Sequence, residues 1–175
     1  MSTRFLCLFH FRTLGLRVMA QKGTTAVEMA LIAPVFFLLL IGLMEICLIE
    51  AGQQLLENAT FNTSRLAKTG YTASGKTQTQ TVSQILTNEL QSFGTFFDTS
   101  KVVMTAVDYN TFTNASNGVG GTNGLGAQQQ IVVYTVTYPW PLLTPMMGQI
   151  FGQQNSNGQW IINLTSEIVV RNEPY

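Results

Sequence analysis

The stretch "KGTTAVE", residues 22–28, holds the residues of this chain with the clearest chemical potential. Lys22 and Gly23 stand just before a long apolar run, and one glutamate, Glu28, stands on its threshold. An ionised carboxylate at a membrane boundary is by default a functional group with a partner to be named. An N-terminal glutamate favoured by the helix dipole is the plainer reading of the same position.

Other chemistry is sparse. The one histidine, His10, and one of the two cysteines, Cys7, lie in the basic leader, and Cys47 lies in an apolar run. Beyond that run there is no histidine or cysteine for a nucleophilic triad or a zinc site. Glu57, Glu89, Asp98, Asp108, Glu167 and Glu173 are scattered, without metal-ligand spacing or a carboxylate pair. The glycines of residues 113–127 do not form a phosphate-cradling loop. The expectation is a protein without catalytic residues, cofactor or metal, and not an enzyme.

The elements that must position Glu28 are legible around it. "MALIAPVFFLLLIGLMEICLI", residues 29–49, is interrupted by one charge, Glu45. A bilayer core of about 30 Å needs about 20 apolar helical residues. A span beginning near Thr24 or Ala26 places Glu28 at the boundary. Residues 1–23 hold Arg4, Arg12, Arg17 and Lys22 and no acid, whereas the remainder has five basic and nine acidic residues, a net charge of −4. That asymmetry sets the leader in the cytoplasm and the rest outside it. It also argues against nucleic acid as a partner, since no basic patch follows the leader. Charged residues make up only 10% of the chain, against about 25% in soluble proteins. "CLIEAGQQ" is a poor site for ordinary signal-peptide cleavage. Pro34 removes one helix hydrogen bond opposite Ala30, and a kink is expected there.

Beyond the membrane the helical pattern continues to about residue 69, with Gly70 as its stop and Arg65 and Lys68 in the last turn. Gly52, Thr60 and Thr63 weaken this half. Residues 71–80 read as a linker, and 81–94 as a short amphipathic helix with Val82, Ile85, Leu86, Leu90 and Phe93 on one stripe. Three strands follow, at 101–109, 129–138 and 159–172, separated first by a glycine- and asparagine-rich loop. The prolines of "YPWPLLTPMMG" are expected to end the second strand. Trp140, Leu142, Met146, Met147 and Phe151 are more apolar than a loop requires; they read as a lid over a small core or as a subunit contact surface.

The stretch "KGTTAVEMALIAPVFFLLLIGLMEICL" resembles the N-terminus of TadE-like proteins, minor pseudopilins of the Tad (tight adherence) apparatus that builds Flp-type pili. Residues 53–70 and the closing "EIVVRNEPY" are similar to the family as well. The resemblance implies that a prepilin peptidase cuts between Gly23 and Thr24, leaving Glu28 as the fifth mature residue; glycine before the cut leaves the backbone unobstructed. The cut it implies would create an α-amino group on Thr24, four residues before Glu28 and on the same helix face, and Glu28 could pair with that of its own chain or of a neighbour. It implies other Tad pilins, pseudopilins and platform proteins as partners, and a single-pass inner-membrane protein with its C-terminal part outside the cytoplasm. A leader of 23 residues is long for the pattern; Met19 begins a shorter "MAQKG" leader.

The expected architecture is α+β and pilin-like, with a three-stranded antiparallel sheet. Its parts are a leader (1–23), a transmembrane helix (24–49), a helix extension (50–70) and a small exported domain (71–175). The expected function is that of a processed minor pilin or pseudopilin in Tad/Flp pilus assembly. The alternative is a permanently anchored envelope protein whose exported domain binds a ligand or a secretion component without entering a filament.

Overall fold

A computed structural model describes residues 11–174, with side chains from Gly23 onward. Cys7 and His10 lie outside the described residues, as do the leader's basic side chains. The N-terminal helix, α1, runs from Phe11 to Ala67 with Pro34 inside it. Its part up to Met44 and the body from Glu45 onward form two units, described here in turn.

In the first unit, consecutive apolar residues from Leu31 to Leu43 point around the whole circumference, and their large side chains are exposed, Leu31 to 73%. A helix apolar on every side needs an apolar surround. This one is long and apolar enough to cross a membrane, and only 11% of its most apolar stretch is buried.

The second unit packs helices on one face of an antiparallel sheet. Thr77 caps α2 (Gln78–Ser92) in a reciprocal capping box with Gln80, so this helix starts three residues before its apolar stripe suggests. Among the described residues the sheet has five strands: β1 (Val103–Tyr109), β2 (Thr122–Asn123), β3 (Ile131–Pro141), β4 (Gln153–Gln154) and β5 (Trp160–Arg171). Their order is β2-β1-β3-β5-β4. The three long strands correspond to the expected ones. The expected three-strand sheet is corrected by two edge strands of two residues each, too short to show a period in sequence.

Alternation in β3 sets the core. Val132, Tyr134, Val136 and Tyr138 are buried, while Val133, Thr135 and Thr137 are half-buried on the other face. Leu56 and Ala59 of α1, Leu86 and Leu90 of α2, Val136 and Tyr138 of β3 and Leu164 of β5 share one cluster. Ala67, Val82, Leu125, Val132 and Tyr134 form a second. Phe97 meets Tyr138 edge-on at 5.0 Å, and Phe96 meets Trp140 at 5.2 Å.

Gly70, at φ 70°, follows the end of α1, with its N–H on the Ala67 carbonyl. The C-terminus returns to this corner. Asn172 is buried and donates from Nδ2 to the carbonyls of Leu125 and Ala127, and Lys68 pairs with Glu173 at 3.0 Å.

Two expectations for the loops are revised. The glycine-rich stretch contains a helical turn, α3 (Phe112–Asn117), capped by Thr111 and by left-handed Gly118, and then β2. The second strand passes through Pro139 to Pro141 instead of ending at Tyr138. The last β1–β3 pair is Val103 with Thr137, so beyond it β3 has a neighbour on one side only. The Leu142 N–H points to Trp160 of β5, so by alternation the nitrogens of residues 139 and 141 face the open side, where a missing N–H breaks no ladder bond.

Candidate functional site

Two places have site character, one in each unit. In the first, Gly23, Thr24 and Glu28 all lie within α1, and Glu28 is exposed. Among the described residues Glu28 has no cationic partner within ion-pair distance. A Cβ built on Gly23 would meet nothing within 4 Å. Glycine in a helix interior costs about 1 kcal/mol relative to alanine, and neither tight packing nor a left-handed backbone accounts for it here. Pro34 lies ten residues beyond Thr24, inside the same helix.

In the second unit the sequence reading missed the central residue. Glu45 is 2% exposed. Its Oε1 accepts the N–H of Leu143 at 2.5 Å and that of Thr144 at 3.2 Å, and its Oε2 accepts the Thr144 hydroxyl at 2.5 Å. Thr144 is the N-cap of α4 (Pro145–Phe151), and its oxygen accepts the Met147 N–H at 3.4 Å. Pro145 opens that helix, where its missing N–H costs nothing. One carboxyl on α1 therefore clamps the entrance of α4, 98 residues away in the chain. "TP" followed by a short apolar run was the available signal for a capped helix; its partner could not be read from sequence.

This clamp divides the residues expected as a lid or contact surface. Leu142 and Met147 are buried, and half-buried Trp140 packs against the backbone of Gly52 in α1. Met146 and Phe151 are exposed, together with Leu143 and Ile150. The first three pack inward; the others form an outward apolar face. Gly148 of α4 lies so close to Trp160 that a Cβ there would come within 2.4 Å of the indole. A cavity of about 230 Å³ lies among Ile46, Ile49, Glu50, Leu142, Met147, Phe151 and Ile162. Among the described residues no three His, Cys, Asp or Glu side chains gather as metal ligands.

The comparison with protein families bears on the helix. Residues 23–65 match the family of TadE-like proteins. The match begins at Gly23 and covers most of the described length of α1; the sheet lies outside it. No curated protein and no solved structure matches the chain. The segment is thus similar to TadE-like proteins, and its apolar helix fits a single-pass membrane anchor.

Proposed function

We propose that the chain is a minor pilin or pseudopilin of a Tad/Flp-type pilus, processed by a prepilin peptidase between Gly23 and Thr24. The carrying observation is the TadE-like match that opens at Gly23, a glycine for which the fold gives no packing reason. The peptidase reads an unobstructed backbone beside a basic leader. Cleavage offers Glu28 a cationic partner, because the new α-amino group of Thr24 lies one helical turn away, on the same chain or on a neighbour in a bundle. Pro34 removes one helix hydrogen bond in this segment and kinks it. The leader stays cytoplasmic, the span runs from 24 to 49, and the domain from 71 onward is exported. There it meets other Tad pilins or the inner-membrane platform as a structural partner and not as an enzyme.

Mass spectrometry of the mature N-terminus tests this directly. A first residue of Thr24 is expected. A chain retaining residues 19–23 in cells with an active prepilin peptidase refutes the processing step and favours the permanently anchored alternative. Gly23 replaced by a bulky residue should accumulate the long form in the membrane. Glu28→Ala should still be cut but should lose pilus assembly; unchanged assembly would remove the pairing role.

A further inference from the structure

The outward apolar face of α4 has no role in the fold or in the processing reading. Leu143, Met146, Ile150 and Phe151 expose 41–72% of their surface while Met147 packs inward. We propose that α4 and its leading loop lie in the lipid headgroup layer of the membrane that α1 spans, with these four side chains among the upper acyl chains.

Position along α1 supports this occupant. At about 1.5 Å per residue, the helix from Thr24 to Glu45 covers about 32 Å, close to a hydrocarbon core of about 30 Å. Glu45 therefore falls where the core gives way to headgroups, and its carboxyl binds the two residues that begin α4. The apolar surface is also continuous within this unit. Ile46 and Leu48 of α1 are exposed, and the cavity between Ile46 and Phe151 is lined by apolar side chains apart from Glu50. Composition agrees: no charged residue occurs between Asp108 and Glu167. Both tryptophans of the chain flank the element, Trp140 just before its loop and Trp160 against Gly148. Tryptophan concentrates at membrane interfaces because its ring is apolar and its N–H polar. A second protein is the weaker occupant, since four side chains fall short of the roughly 800 Å² per partner of a stable protein contact.

The inference rests on α1 spanning a bilayer and is independent of cleavage. Its test uses the full chain with Cys7 and Cys47 replaced by serine, reconstituted in phosphatidylcholine–phosphatidylglycerol vesicles. A bimane label is placed on Ile150→Cys, on Met146→Cys and, as a water-exposed control, on Val119→Cys. Lipids carrying a nitroxide near the headgroup end of the acyl chain should quench the two α4 labels at least about threefold more than the control, and aqueous iodide should show the reverse order. Iodide quenching of both α4 labels equal to that of the control overturns the proposal. So does shielding that arises only at raised protein-to-lipid ratio, which would assign the face to a second copy. Alkaline carbonate extraction separates the underlying assumption: protein released from the vesicles defeats the spanning helix itself, whereas carbonate-resistant protein with iodide-accessible α4 labels defeats the α4 placement alone.

Discussion

Removing the carboxyl of Glu45 should free α4 from α1 without unfolding the sheet. In Glu45→Ala three hydrogen bonds disappear at once: two from the backbone N–H groups of Leu143 and Thr144, and one from the Thr144 hydroxyl. A hydrogen bond to a carboxylate contributes about 1.5–3 kcal/mol, but the three losses do not add fully because the bonds share one carboxyl. The expected local destabilisation is about 3–5 kcal/mol. Glu45→Gln keeps an oxygen for the two N–H donors and can turn its NH₂ toward the Thr144 oxygen, so it should cost about 1–2 kcal/mol. Amide hydrogen exchange in nanodiscs reads this at Leu143, Thr144 and Met147. At 1.4 kcal/mol per tenfold, Glu45→Ala should speed their exchange by about two to four powers of ten, Glu45→Gln by about one, and β3 residues 132–136 not at all. Exchange at 143–147 within about threefold of the parent protein in Glu45→Ala would show that the clamp does not hold α4, and the reasoning would fail.

The remaining predictions concern packing and pH. Gly52→Ala should lower the melting temperature, because its Cβ would meet the rigid Trp140 ring at 2.9 Å and an overpacking cost of about 1–3 kcal/mol exceeds the helix-propensity gain of about 1 kcal/mol. Gly148→Ala should displace Trp160, seen as a changed near-ultraviolet circular dichroism band, while leaving the span intact; an unchanged band would contradict the 2.4 Å approach. The Asp98 carboxyl is held below its ordinary pKa by the Ser100 side chain first, then by Lys101 and the Ser100 N–H. A depressed folded pKa means stability present above the unfolded value and lost as pH falls through the folded one. The turn at residues 98–101 should accordingly loosen only at acid pH, and Asp98→Asn should abolish that step in an NMR titration of Ser100.

Binary pattern was enough to locate most elements of this protein. An apolar run of membrane length dictates a helix that no small domain can bury, and the charge asymmetry around it orients the expectation. Period-2 alternation at 132–138 and the stripe at 82–93 locate a strand and its covering helix, because each pattern has only one face to hide. Gly23 and Glu28 stood out by their place before the apolar run, and the roles proposed for them rest on the likeness of residues 23–65 to TadE-like proteins. Tertiary structure decided what depends on distant partners. Glu45 read as a stray charge in an apolar run, and only folding places residues 143 and 144 against it. Gly52 read as a weak point in a helix, yet it is the surface on which Trp140 sits. Pro139 and Pro141 read as a strand end, yet β3 continues because its pairing with β1 ends at Thr137 while that with β5 runs on. Each of these residues takes its role from a group brought close by the fold, and no local pattern in the chain encodes that proximity.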